Sequence, residues 1–163
     1  MERCIPLRCV PTDLRPLLRS SLAVLHSQAK AADIGLRVIV DDDVPAAVSI
    51  DPDKIAWATT VLVGNAMRYV RHGSRGLTGG SITVHVRNTG DTRIAIAVED
   101  DGPGMPPARV ATLFADTDGQ PRAGLGLLMV RDVVMAHGGQ IGVTSETDPI
   151  SHGTTIVLTL PVQ

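Results

Sequence analysis

A chain of 163 residues suffices for one domain with a substantial core and is short for two; with 44% hydrophobic but only 2% aromatic residues, that core has to be packed from aliphatic side chains. A formal charge of -2 provides no basic face for nucleic acid. No apolar run approaches the roughly 18 residues needed to cross a bilayer, and residues 1–10 have no hydrophobic centre of signal-peptide type, so the expectation is a cytoplasmic domain that makes no membrane contact of its own, whatever neighbouring segment tethers it.

Cys4 and Cys9 lack the second pair of ligands a zinc site requires and are read as reduced thiols. The five His are too scattered for a metal cluster, and no Ser, His and Asp set has a nucleophile-elbow context. Residues 1–10 are taken as an extension or linker remnant and 11–163 as the domain. Leu14, Leu18, Leu22, Leu25 and Ala29 then recur at helical spacing, with Gly35 expected to end that helix. "LRVIV" (36–40) reads as a strand and "DDDVP" as the turn after it.

Asp51 is a helix cap, Pro52 fits the first helical position, and Asp53 suits the positive end of the dipole. That second helix is expected to run to about Arg71, with Ile55, Thr59, Leu62, Val63, Ala66 and Val70 as its core face and Asn65, Arg68 and His72 in the next stripe. "SITVHVRN" and "TRIAIAVED" alternate as a hairpin joined by Thr89, Gly90 and Asp91. A short helix over "PPARVATLF" precedes the polar segment "ADTDGQPRA", expected to be mobile. "GLGLLMVRDVVMAHGG" is a helix bounded by glycines, and "QIGVTSE" and "GTTIVLTLP" are a closing hairpin. Strands arriving in hairpin pairs predict an α+β fold: a two-layer sandwich with a mixed, mostly antiparallel sheet and helices on one face.

Three stretches bear on chemistry. Asn65 and Arg68 place an amide oxygen and a guanidinium at the rim of a core face, suited to a hydrated cation and a phosphate oxygen, or equally to a solvated polar stripe. In "VEDDGPGM" a strand delivers Asp100 into a loop where Gly102 and Gly104 allow close backbone approach. A carboxylate accepts hydrogen bonds without donating, so a flat base with an exocyclic amino group is a suitable partner; an acidic turn is the plain alternative. In "AGLGLLMV", Gly124 and Gly126 open a helix whose unpaired N–H groups attract anions, although no Walker or dinucleotide fingerprint is complete.

Together and in this order, these stretches, with "HGG" (137–139) and the terminal "GTT...LTLP", resemble the ATP-binding domain of sensor histidine kinases, in the superfamily that includes gyrase, the large heat-shock chaperones and the mismatch-repair ATPases. "PTDLRPLLRSSL" and "SIDPDKI" look like the segments leading into a kinase catalytic domain, so the likeness covers nearly everything from Pro11. The resemblance implies a Bergerat-type α/β sandwich with ATP under a mobile lid. Asp100 would accept the adenine amino hydrogen, Met105 would pack on the base, and Thr154 would support Asp100 through a water or hydroxyl contact. Asn65 would hold Mg2+ on the phosphates, Arg68 would reach a phosphate and Tyr69 would border the nucleotide. Gly124, Leu125 and Gly126 would offer backbone N–H groups to the phosphate chain. The implied reaction moves the ATP γ-phosphoryl to a histidine on a separate dimerisation domain, and a response regulator is the indirect partner.

The sequence departs from that pattern at several points. Val61 stands where the family has Asn or an acid, so poor hydrolysis and weakened magnesium affinity are expected. Arg122 replaces the usual first glycine of the last box and reads as a lid residue reaching the γ-phosphate or as a surface arginine. The lid is short, with Phe114 but no second Phe. No acceptor motif is present, since the flanks of His26 do not match one. Two further readings share these boxes: a stand-alone serine kinase of the anti-sigma type, and a degenerate nucleotide-binding or interaction module.

Overall fold

A computed structural model of the chain describes residues 5–73, 80–90, 92–114, 116–117, 120–121 and 124–162. Its elements in order are β1 (Val10–Thr12), α1 (Leu14–Ser21), α2 (Ala23–Ala31), β2 (Gly35–Val40), β3 (Val48–Ile50), α3 (Pro52–Gly73), β4 (Ser81–Gly90), β5 (Arg93–Asp100), α4 (Pro107–Thr112), β6 (Asp116–Thr117), β7 (Gln120–Pro121), α5 (Gly124–Ala136), β8 (Gln140–Thr147) and β9 (His152–Pro161). Five strands form one sheet in the order β2-β4-β5-β9-β8, parallel only between β2 and β4. The α+β sandwich with a mixed, mostly antiparallel sheet is therefore the observed architecture.

Strand alternation builds the core. Ile82, Val84 and Val86 of β4, Ile94, Ile96 and Val98 of β5, and Ile156, Leu158 and Leu160 of β9 all turn to the helix side and are buried. Against them α3 sets Ile55, Thr59, Leu62, Val63, Ala66 and Val70, the stripe expected from helical spacing. On the opposite face the centre of β5 carries Ala95 and Ala97, small enough to be covered by neighbouring strands without a second helical layer.

Local differences from expectation have physical causes. The first helix is interrupted for one residue at Leu22 (φ -95, ψ 2), yet His26 N–H still reaches Leu22 C=O at 2.8 Å, so the apolar stripe stays in phase. Asp33, not Gly35, takes the left-handed position that ends α2 (φ 60), and Ile34 N–H closes back on Ala29 C=O at 2.8 Å; Gly35 instead opens β2. The second helix extends to Gly73, two residues past Arg71. The β4 strand continues to Gly90 through an irregularity at Asn88 and Gly90. Within "ADTDGQPRA", β6 and β7 pair Asp116 with Pro121 and Thr117 with Gln120.

Ahead of the sheet, β1 pairs with β3, a pairing too short to show in the sequence. Ile5 packs on the core and Arg8 N–H donates to Asp51 Oδ2 at 2.9 Å, so residues 5–10 join the same body. Among the described residues no helix is long and apolar enough to cross a membrane, no group of three or more His, Cys, Asp or Glu is placed to hold a metal, and Cys9 is a free, exposed thiol. Cys4 lies outside the described residues.

Candidate nucleotide site

Three adjacent acids end β5, and the pleat sorts them. Glu99 points to the open face of the sheet, where Arg87 lies 3.6 Å away, and Asp101 is exposed, accepting the Ser81 N–H at 2.8 Å. Asp100, in phase with Ile96 and Val98, turns to the helix side. Gly102 N–H donates to it there at 2.9 Å, and the N–H of Thr154, its register partner on β9, lies near enough to favour the charged form. Burial still prevails: it pushes the Asp100 carboxyl above its ordinary value, against the lowering effect of the two N–H bonds and with a smaller push from the Asp101 charge. A carboxylate has room for about four hydrogen bonds, so two N–H groups leave acceptor capacity for another donor.

The loop after Asp100 is fixed by close approaches. A Cβ on Gly102 would lie 3.0 Å from Asp100 Oδ1 and 3.5 Å from the Tyr69 carbonyl, which ties the loop to α3. Gly104 has φ +76, and a Cβ there would fall 1.9 Å from Glu146 O, so only glycine fits. Met105 follows, buried, its N–H donating to Ser145 Oγ at 2.7 Å. Ser145 Oγ also lies 2.8 Å from Thr154 Oγ1 and 3.1 Å from Gly153 O. The Thr154 hydroxyl thus meets Ser145, and among the described contacts it is the Thr154 N–H that bears on the Asp100 carboxyl.

Ser145 was missed in the sequence, although a signal existed: in "QIGVTSE" it shares the inward parity of Ile141 and Val143, so a hydroxyl sits where the alternation calls for an apolar side chain. His152, also unremarked, brings Nδ1 within 2.6 Å of Gly102 O. With Ser145 it bolts the Asp100 loop to the final hairpin.

On α3, Asn65 and Tyr69 are half-buried and Arg68 is exposed; the Arg109 guanidinium of α4 stands 6.0 Å from the Tyr69 ring centroid. The side chain of Asn65 makes no hydrogen bond among the described residues. The first turn of α5 begins at Gly124, as expected, and a Cβ on Gly126 would lie 3.4 Å from Val61 Cγ1. Val61 is one turn, about 6 Å, before Asn65, so the first-turn N–H groups of Gly124, Leu125 and Gly126 start beside the α3 residues expected to meet phosphate and metal. Arg122 and the side chains of His72 and Leu125 lie outside the described residues.

Magnesium fit can be judged from the donor set. Asn65 brings one neutral oxygen and Val61 none, which suits a cation held largely by phosphate oxygens and water, not a protein cage.

The sequence signature of the histidine kinase-, DNA gyrase B- and HSP90-like ATPases matches residues 50–163. The adaptive-response sensory kinase SasA of Synechococcus sp. (strain JA-3-3Ab) is 31% identical over 162 residues, covering 96% of this chain and 40% of its own length. Among solved structures, the mycobacterial sensor histidine kinase MprB is 27% identical with a TM-score of 0.74, covering 93% of this chain and 97% of the solved one. Full-length ShkA in complex with AMPPNP is 27% identical with a TM-score of 0.77, covering 97% of this chain and 32% of the solved one. The chain thus spans about two-fifths of the curated relative it matches. A signature over more than half the chain, on a fold that turns Asp100 inward and sets the glycine-started α5 beside Asn65, means that the chain belongs to the family of histidine kinase-, DNA gyrase B- and HSP90-like ATPases.

Proposed function

We propose that residues 11–163 are the ATP-binding catalytic domain of a sensor histidine kinase, which passes the γ-phosphoryl group of ATP to a histidine on a separate dimerisation domain, from which a response regulator takes it. The observation that carries this reading is Asp100: a carboxylate turned into the helix side of the sheet, held by two N–H groups yet still acceptor-rich. The exocyclic amino group of adenine is the donor it suits. Met105 and Tyr69 border the base, Thr154 and Ser145 hold the carboxylate-bearing loop, and Gly104 sets its turn.

Toward the phosphates, Arg68 meets one oxygen and the first-turn N–H groups of Gly124, Leu125 and Gly126 meet others. Asn65 Oδ1 is the protein ligand for Mg2+, whose contribution when bound is to offset phosphate charge. In the transfer the bond from the γ-phosphorus to the ADP oxygen breaks as the bond to the acceptor nitrogen forms, so the chain's task is alignment and charge neutralisation. Val61 places a methyl group, with no acid or amide, one turn before Asn65; nothing there activates water, which suits transfer to a protein over hydrolysis. By this proposal the domain works in the cytoplasm, without contact to nucleic acid.

Calorimetric titration with AMP-PNP and magnesium tests the site, and incubation with ATP and a histidine-bearing dimerisation domain tests the reaction. Micromolar binding that falls at least tenfold in Asp100→Asn, together with an acid-labile phosphohistidine, is the expected result. Tight binding indifferent to Asp100→Asn would overturn the site. An acid-stable phosphoserine on a partner would replace the histidine acceptor with a serine.

A further inference from the structure

Three histidines make ring hydrogen bonds among the described residues, and one of them touches the loop that follows Asp100. His85 Nε2 lies 2.8 Å from Asp41 Oδ1, and His137 joins the end of α5 to the start of α3. His152 Nδ1 lies 2.6 Å from Gly102 O, a contact that spans 50 residues of chain. A close approach brings it there. His152 opens β9, and the next residue, Gly153, has φ +150; a Cβ on Gly153 would fall 2.1 Å from Asp100 O, so glycine lets the strand lie against the Asp100 main chain.

Gly102 has no side chain to settle its own φ and ψ, so its two flanking peptide planes take the orientation that hydrogen bonds impose. One plane is fixed by the Gly102 N–H, which donates to Asp100 Oδ1 at 2.9 Å. The other is fixed by the Gly102 C=O, which meets His152. The loop's ties to β8, Gly104 against Glu146 O and Met105 N–H on Ser145 Oγ, act beyond Pro103. A carbonyl oxygen only accepts, so Nδ1 is the ring nitrogen that carries the proton.

We propose that His152 is a positioning residue for adenine recognition. Its Nδ1–H holds the Gly102 carbonyl, which sets the Gly102 conformation, keeps Gly102 N–H on Oδ1 of Asp100, and so aligns the carboxylate for the amino group of the base. The inference rests on the reading of Asp100 as the adenine contact. Because His152 acts through that carboxylate, its loss should weaken selection of the base more than it weakens binding of the phosphates.

The test compares His152→Asn with His152→Leu, two side chains of the same shape, of which only Asn carries an N–H donor in the place of Nδ1. Calorimetry with magnesium uses AMP-PNP and its purine riboside counterpart, in which hydrogen replaces the amino group. The parent chain is expected to prefer AMP-PNP by about tenfold, since the counterpart leaves a part-buried carboxylate short of a donor. His152→Leu should bind AMP-PNP about fivefold more weakly and the counterpart unchanged, shrinking the preference to about twofold, while His152→Asn stays within about twofold of the parent for both. Ring 15N shifts of the parent at pH 8.5 should place the His152 proton on Nδ1. His152 is exposed, so both variants should keep the parent's melting temperature. An unchanged preference in His152→Leu, an equal loss of both ligands, or a proton on Nε2 would overturn the inference while leaving the adenine reading in place. A parent chain with no preference, indifferent to Asp100→Asn as well, would overturn that reading and the inference with it.

Discussion

Asp51 and Asp100 are two inward-turned carboxylates at opposite ends of the helix layer, and their surroundings assign them opposite work. Asp51, at the start of α3, is met on both oxygens: Arg8 N–H and Lys54 Nζ reach Oδ2 at 2.9 and 3.0 Å, and Lys54 N–H reaches Oδ1 at 3.2 Å. Burial pushes its carboxyl up, but the Arg8 N–H together with the Lys54 side chain, N–H and charge outweigh that, and the net shift is below the ordinary value. Its own N–H donates to His137 Nε2 at 3.0 Å, which makes that nitrogen an acceptor and leaves Nδ1–H for Val133 O at 2.8 Å. The "HGG" histidine therefore joins the end of α5 to the start of α3. Among the described residues Asp100 meets backbone N–H groups and no cation, and burial wins. A carboxylate whose partners are complete is architecture, whereas one left short of partners in a buried place is positioned for a ligand.

Breaking the Asp51 side should give the largest change in stability. Asp51→Ala leaves the Arg8 and Lys54 N–H groups without an acceptor and removes a cap, which should cost about 2 kcal/mol in urea unfolding while AMP-PNP affinity stays within about twofold. The Asp100 side should respond in reverse. Asp100→Asn keeps an oxygen for Gly102 and Thr154 but presents an amide N–H₂ to the adenine amino group; a tenfold or greater affinity loss, about 1.4 kcal/mol, is expected by calorimetry with no loss of melting temperature.

Acid sharpens the contrast. Asp51, lowered from 3.8, contributes stability that is complete above that value and is lost as pH falls through its folded pKa. Asp100, raised from 3.8, binds its proton more tightly in the folded chain, so its contribution favours folding below that value and fades as pH rises toward its folded pKa. Unfolding curves at pH 3.5 and 7 should therefore show Asp51→Asn losing most at pH 7 and Asp100→Asn gaining there relative to the parent chain. The smallest effect expected is for Ser145→Ala, which frees Met105 N–H and the Thr154 hydroxyl: about 1 kcal/mol of stability and about threefold in nucleotide affinity.

Much of the site was legible because it is local. "VEDDGPGM" and "GLGL" write their loop and helix start in consecutive residues, and helical spacing alone put Asn65 beside the buried stripe of α3. Ser145 and His152 escaped notice because their partners, Met105 N–H and Gly102 O, are 40 and 50 residues away. The β1–β3 pair escaped because three-residue strands have no periodicity of their own.

By itself the sequence determined the periodic elements, the caps and the set of glycines, since each depends on backbone preferences and side-chain spacing within a few residues. Tertiary structure alone decided which of three adjacent acids turns inward, that the Thr154 hydroxyl answers Ser145, and that β2 lies parallel beside β4. Those outcomes follow from strand register and layer packing, where the choice is made by residues far apart in the chain competing for the same buried space.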